Sequence, residues 1–111
     1  MAARSVGKPT IAQLDYQSAD ECVVIQNSGL AQDMTGWQLV SGRGGQTYSF
    51  PAGLVLMPGG EVRIHSGVNA AAPTANDQVW TKQHMWRNEG DTASLVDADG
   101  NVISSFTYQG S

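Results

Sequence analysis

Two histidines, His65 and His84, are the residues of this chain best suited to chemistry. A zinc site needs several His, Cys or carboxylate ligands at short spacings on one element, and neither histidine has such a neighbour. A serine nucleophile needs a sharp turn next to a base, and the sequence contains no such turn. We expect His65 to point outward from a strand, together with Arg63. The sequence therefore predicts no catalytic activity, no metal and no other cofactor.

The acidic residues are the second group that could do chemistry, because a pair of carboxylates can act as general acid and base. Most of them fall at predicted strand ends and turns, where acidic side chains are usually solvated. They are Asp15, Asp20, Glu21, Asp33, Glu61, Asp77, Glu89, Asp91, Asp97 and Asp99. We therefore expect these residues to lie at the surface as solvated groups.

Asp97, Asp99 and Asn101 alternate around Ala98 and Gly100 and resemble half of a calcium-binding loop. A complete loop of the EF-hand type ends in glutamate at its twelfth position, which here is occupied by a tyrosine. Asp-Gly between two alternating strands is also a strong hairpin turn. The sequence favours a plain turn and leaves a weak calcium contact as the alternative.

Two other features resemble chemical motifs but lack the residues that such motifs need. Cys22 is the only cysteine, so it cannot form an internal disulfide, and its strand position favours a packing role over a nucleophilic one. Residues 42–45 form a glycine-rich loop, but they lack the lysine and the following helix of a phosphate-binding loop. Neither feature predicts an active site.

Alternating apolar residues predict that these side chains lie on short β-strands. The clearest element is a hairpin over residues 92–108 with its turn at 97–101, in which Val102, Phe106 and Tyr108 share one face. Further strands are predicted over residues 10–16, 21–27, 34–40, 46–50 and 61–66. Roughly seven to nine short strands separated by turn signals predict an all-β antiparallel sandwich or a small barrel.

Trp37 is the predicted centre of the core, since a tryptophan in a domain of this size usually anchors it. The other predicted core residues are apolar and lie on the inward faces of the strands. They are Val23, Ile25, Leu39, Phe50, Val62, Ile64, Leu95 and Phe106. Trp80 and Trp86 could form an exposed aromatic platform, although burial at one end of the sandwich is favoured.

The composition limits the classes of partner. The chain has 111 residues, six Lys and Arg against ten Asp and Glu, and a net charge of −4. Dispersed cations and an acidic excess argue against nucleic-acid binding, and no apolar run is long enough to cross a membrane. We predict a flexible tail over residues 1–9 and a single β-sandwich domain over residues 10–109. The oligomeric state stays open.

Several short motifs, taken in order, resemble the lamin tail domain. They are Val23-Val24-Ile25-Gln26-Asn27, Gly36-Trp37-Gln38-Leu39, Tyr48-Ser49-Phe50-Pro51, Leu56-Met57-Pro58-Gly59-Gly60-Glu61-Val62, Val79-Trp80 with Trp86, and Asp91-Thr92-Ala93-Ser94-Leu95 followed by Asp99-Gly100. Together they extend over nearly the whole chain. The resemblance implies an immunoglobulin-like fold of two antiparallel sheets and a non-catalytic role.

The prokaryotic members of this family suggest the setting in which such a domain works. The resemblance implies an accessory domain of a larger secreted or envelope protein, in contact with a protein partner or with the rest of its own chain. A nuclear filament role is disfavoured, because the chain is acidic and lacks the rod, the nuclear-localisation segment and the prenylation motif of nuclear lamins. The alternative is a carbohydrate- or calcium-binding module attached to a secreted hydrolase.

The predicted first strand is the candidate interaction surface, because an edge strand can accept an extended segment of a partner. The residues expected to take part are Thr10, Ile11, Gln13 and Asp15. Trp86, with the long loop over residues 67–78, is the expected secondary surface. These expectations define where contacts to other chains should lie.

Overall fold

The computed structural model describes residues 6–110, and every regular element in this part of the chain is a β-strand. The ten strands, in chain order, are β1 (Pro9–Asp15), β2 (Glu21–Asn27), β3 (Gln32–Asp33), β4 (Gln38–Ser41), β5 (Thr47–Ser49), β6 (Val55–Leu56), β7 (Glu61–Ser66), β8 (Asp77–Thr81), β9 (Gly90–Val96) and β10 (Val102–Gln109). The predicted all-β fold class is confirmed.

Two four-stranded sheets form the sandwich. The first has the strand order β1-β2-β7-β8 and the second has the order β10-β9-β4-β5. The short strands β3 and β6 pair with each other at one end. No helix within residues 6–110 is long and apolar enough to cross a membrane.

The core lies between the two sheets and is built around Trp37, which is fully buried. Seven of the other residues expected there are buried with it: Val23, Ile25, Leu39, Phe50, Val62, Ile64 and Leu95. Phe106 is only partly buried and packs against this cluster from the side. It does so because β10 is the outer strand of its sheet, where one flank of each side chain lacks a neighbouring strand.

The face of β10 that points inward differs from the one predicted. The register of β10 against β9 shifts between Val102 and Ser104, which is a β-bulge. A one-residue shift reverses the face of every residue before it, so Val102 is 62% exposed, whereas Phe106 and Tyr108 pack on the core. The expectation that Val102 shares their face is wrong.

One pair of strands departs from the antiparallel pattern, since β8 runs parallel to β7. A parallel partner needs a crossover connection, because the chain must return to the starting end of the sheet. Residues 67–76 make this connection. Gly67 opens it with φ near +102°, and a side chain at this position would collide with the carbonyl of Ala19.

The two sheets meet along one side, where β1 and β10 lie next to each other. The backbone N–H of Ile11 donates to the hydroxyl of Ser104 at 3.1 Å, and the rings of Tyr16 and Tyr108 stack with centroids 4.2 Å apart. On the opposite side, β5 and β8 are connected through side chains. The ring of Tyr48 contacts Trp80 at 5.9 Å.

The backbone just before β1 is hydrogen-bonded to neighbouring side chains. The N–H groups of Val6 and Gly7 donate to the side-chain oxygen of Gln32, and that of Lys8 donates to Asn27. The sequence predicted a flexible tail as far as residue 9. Residues 1–5 of that tail lie outside the described residues.

Candidate functional site

Glu21 is a buried carboxylate at the start of β2, and its side chain is inaccessible to solvent. It accepts hydrogen bonds from the hydroxyl of Ser66 at 2.9 Å and from the backbone N–H groups of Met85 and Trp86 at 2.8 and 3.3 Å. Nδ1 of His84 lies 2.6 Å from Oε2 of Glu21, the oxygen that also accepts from Trp86. A buried charge needs such partners. The expectation of a solvated Glu21 is therefore wrong, and its role is to hold the segment before β9 against the first sheet.

Trp86 is consequently part of the core and does not form a surface. It is 1% exposed, and its ring meets Trp80 edge to face at 6.0 Å. The proposed secondary contact surface at Trp86 is wrong, because the hydrogen bond to Glu21 holds its backbone against the sandwich. The sequence contained a hint of this burial, since tryptophan is a large apolar residue that usually packs inside.

His65 lies on the outer face of β7 but is buried between two carboxylates. Nδ1 is 2.7 Å from Asp20 and Nε2 is 2.7 Å from Asp77. His65 points outward from the strand, as expected, but these two side chains cover it and leave it 7% exposed. Burial lowers the pKa of His65, but the hydrogen bonds to Asp77 and Asp20 outweigh burial and raise the pKa above its usual value.

Arg63 completes this network on the same face. Its guanidinium donates to both oxygens of Asp77, at 2.7 and 3.2 Å, and lies 2.5 Å from Glu61. These hydrogen bonds hold the pKa of Asp77 well below its usual range. Asp77 also accepts from the N–H and hydroxyl of Thr74. The network therefore attaches the end of the crossover to β7. This structural role accounts for the charged side chains of the network.

Cys22 lies opposite His65 in the β2–β7 ladder. Burial, with the nearby carboxylate of Asp20 adding to it, raises the pKa of the thiol to about 11. The nucleophile is the thiolate, which is scarce at neutral pH when the pKa is this high. The structure thus gives Cys22 the packing role that its strand position predicted.

The loop of the predicted calcium contact is stabilised by its own hydrogen bonds. One oxygen of Asp97 accepts from the N–H groups of Asp99 and Asn101 at 3.0 and 2.9 Å, and the other accepts from the side chain of Asn101. These bonds lower the pKa of Asp97. Among residues 6–110, no cluster of three or more His, Cys, Asp or Glu side chains is arranged to hold a metal ion. The turn accounts for Asp97 without a cation.

The predicted β1 edge is only partly available. The side chains of Thr10, Gln13 and Asp15 are exposed, but Ile11 is buried and its N–H is bonded to β10. Asp15 uses its carboxylate to accept hydrogen bonds from the following turn. A partner strand added at this edge would have to displace the contact between β1 and β10.

An apolar surface that the sequence did not predict lies at the end of the sandwich formed by β3 and β6. Four large apolar side chains on the segments that meet there are exposed: Val6, Leu30, Val55 and Met57. We call this set the apolar end surface. Two buried amides hold its segments together. The amide nitrogen of Asn27 donates to the carbonyls of Leu30 and Leu56 at 2.6 and 2.8 Å, and Gln32 binds the backbone of Val6.

A shallow depression of about 550 Å³ lies between the loop after β4 and the ends of β9 and β10. Some of the polar groups in its wall are engaged within the protein. The N–H of Arg43 donates to Asp91 at 3.0 Å, and its guanidinium donates to the carbonyl of Gly90 at 3.2 Å. Arg43 and Asp91 are therefore bound to each other or to the backbone and are not directed at a small ligand.

Two facing sheets around a tryptophan-centred core, with the ends of the sandwich formed by loops, define an immunoglobulin-like β-sandwich domain. A family model described as Lamin Tail Domain matches residues 2–110. The chain belongs to the lamin tail domain family, an immunoglobulin-like family of non-enzymatic domains. No curated protein matches the chain.

Proposed function

We propose that this domain is a non-catalytic interaction module, an accessory part of a larger protein that mediates protein–protein contacts through the apolar end surface. The exposure of that surface is the observation that supports the proposal most. Leu30 is 68% and Met57 is 58% exposed. Large apolar side chains grouped on a soluble domain often mark contact sites, since covering them removes apolar area from water.

The support beneath the apolar end surface also suits binding. Asn27 accepts from the N–H groups of Lys8 and Gly29 while it donates to two carbonyls. The backbone carrying Leu30 and Met57 is therefore already ordered. A surface that is ordered before binding loses less conformational entropy when a partner arrives.

The partner that suits this surface is a protein segment or a neighbouring domain with an apolar face. Membership of a non-enzymatic family supports a role in binding other proteins and not in catalysis. We further infer that the larger protein is secreted or belongs to the cell envelope, as the resemblance to prokaryotic family members implies.

The test combines crosslinking with mutagenesis. A photoreactive residue at Leu30, introduced in the native host, should capture a protein neighbour or a second segment of the same polypeptide. The captured species is then purified, and its affinity is measured for Leu30→Ser and Met57→Ser variants. We expect each substitution to weaken binding by about tenfold, as truncation of central apolar contacts does.

Val68 provides the matched control, because it is 72% exposed in the crossover loop. Val68→Ser should leave the affinity unchanged. If Leu30→Ser and Met57→Ser bind as tightly as the wild-type domain, the apolar end surface is not the contact site. Equal losses for Val68→Ser would also contradict the proposal.

A further inference from the structure

The outer edge of the first sheet, at β8, contains no proline and no exposed charged side chain, and its only irregularity is a register shift between Val79 and Thr81. Such edges are usually protected by charged side chains, proline or coverage. β8 contains no proline, and its one charged residue, Asp77, is buried and bonded to Arg63. The edge at β1 differs, since β10 lies against it.

The direction of the free backbone groups on β8 follows from its register. The N–H of Arg63 donates to the carbonyl of Asn76, and Arg63, Ile64 and His65 stand opposite residues 77, 78 and 79. In a parallel ladder, alternate residues turn both backbone groups to the neighbouring strand. Gln78 therefore faces β7, and Val79 turns its N–H and its C=O to the open side.

The crossover leaves this side open. Thr74, just before β8, bonds to the guanidinium of Arg63 at 3.2 Å, so the connection arrives over the outer face of β7. The side chain of Val79 lies on that outer face, since Asp77, two residues earlier, contacts Arg63 and His65 there. Val79 is 38% exposed, and no backbone hydrogen bond outside the ladders involves it within residues 6–110.

We propose that a second copy of this chain pairs with β8, so that two first sheets join into one continuous sheet across a two-fold axis. Two identical edges that meet around a two-fold axis must run antiparallel. With the axis at Val79, the two Val79 residues form a hydrogen-bonded pair, in which each N–H donates to the other C=O. The free N–H of Val79 in each copy thereby donates to the free C=O of Val79 in the other copy.

The side chains in this register are compatible as well. Gln78 stands opposite Trp80 of the second copy, and the regular pairing ends there because the register of β8 shifts between Val79 and Thr81. No charge faces a like charge, which would disfavour pairing. The contact is a short edge, smaller than the roughly 1,000 Å² that a stable interface needs. The dimer should therefore be weak and dependent on concentration.

Sedimentation velocity over a concentration series tests the proposal with the domain itself. The wild-type domain should shift from monomer towards dimer as its concentration rises. Val79→Pro removes the outward N–H without removing a bond to β7, and Val79→Lys places two charges opposite each other. Each should weaken association by about tenfold or more. Val79→Thr keeps both backbone groups and the branched side chain, so it should associate like the wild type.

Val102→Lys is the matched control, because Val102 is an exposed valine on the distant edge strand β10. It should leave association unchanged. Amide hydrogen exchange adds a residue-level measurement, in which the Val79 amide should gain protection as concentration rises. A domain that stays monomeric up to its solubility limit would overturn the proposal. So would a Val79→Pro dimer of wild-type strength, an equal loss in Val102→Lys, or protection confined to β5. The outcome is independent of the apolar end surface, which lies on β3, β6 and their flanking loops.

Discussion

At the scale of single residues, His65 should make the stability of the domain depend on pH. Its folded-state pKa is raised by Asp77 and Asp20, which outweigh the opposing effect of burial. The raised pKa stabilises the fold, and this contribution is fully present at pH values below the pKa of His65 in the unfolded chain, about 6.5. The contribution is lost as the pH rises through the pKa of His65 in the folded state. We expect the free energy of unfolding, measured by urea denaturation, to fall over that window.

The variant His65→Gln separates this effect from other titrations. It keeps hydrogen-bonding capacity but cannot carry a proton charge, so the decline assigned to His65 should disappear from its pH profile. A wild-type profile that rises between neutral and mildly alkaline pH would contradict the prediction. So would a His65→Gln profile that falls as steeply as that of the wild type.

Trp37 gives a second prediction, because its ring is fully buried and its Nε1–H lacks a hydrogen-bond partner within the described residues. Trp37→Ala should cost about 3–5 kcal/mol of unfolding free energy through the cavity that it creates. Trp37→Phe also loses volume, but it removes the unpaired donor, whose burial costs about 1–3 kcal/mol. Chemical denaturation should therefore show a much smaller loss for Phe. Equal losses for the two variants would contradict this prediction.

At the scale of elements, Glu21 connects β2 to the segment that carries Trp86. Glu21→Ala would leave the N–H groups of Met85 and Trp86 without an acceptor, so we expect a loss of about 3 kcal/mol or more. Tryptophan fluorescence should also shift towards that of a solvated ring. Glu89→Ala is the control, because Glu89 is exposed in the turn before β9. A stable Glu21→Ala variant with unchanged fluorescence would contradict the assigned role.

The strands were more predictable than the polar contacts, because alternation is a local signal and side-chain pairing is not. The alternation of Val23, Ile25, Leu39 and Leu95 marks their inward faces directly. Glu21 meets its partners Met85 and Trp86 only after the chain has crossed between elements 64 and 65 residues apart. The sequence around position 21 does not indicate those partners.

The same distinction explains the errors about edges and surfaces. Whether an edge strand is covered depends on the other sheet, and the contact of Ile11 with Ser104 joins residues 93 positions apart. The direction of β8 depends on the path of residues 67–76, which has no periodic pattern to read. The apolar end surface forms where the segments that carry Leu30 and Met57 are joined through the hydrogen bonds of Asn27 to the carbonyls of Leu30 and Leu56. Neither Leu30 nor Met57 would be assigned to a patch by its own neighbours in sequence.

At the scale of the whole molecule, the charge distribution predicts no measurable binding to duplex DNA near physiological salt. The chain has six Lys and Arg against ten Asp and Glu, and Arg63 is bonded to Asp77 and Glu61. Nucleic-acid affinity depends on cations that neutralise phosphates together. A fluorescence anisotropy titration with labelled duplex DNA should remain flat. Micromolar binding that weakens with added salt would contradict this prediction.

The contact between β1 and β10 has a mechanical consequence. Ile11 lies beside Ser104, and Tyr16 lies beside Tyr108, so the two strands run in the same direction. The start of β1 and the end of β10 are therefore at opposite ends of the sandwich. Tension applied between these two points acts along the strands, and the hydrogen bonds of β1 with β2 and of β9 with β10 are loaded in shear together. We expect a domain loaded in this way to resist extension as a unit, since these two ladders cannot be peeled apart one bond at a time.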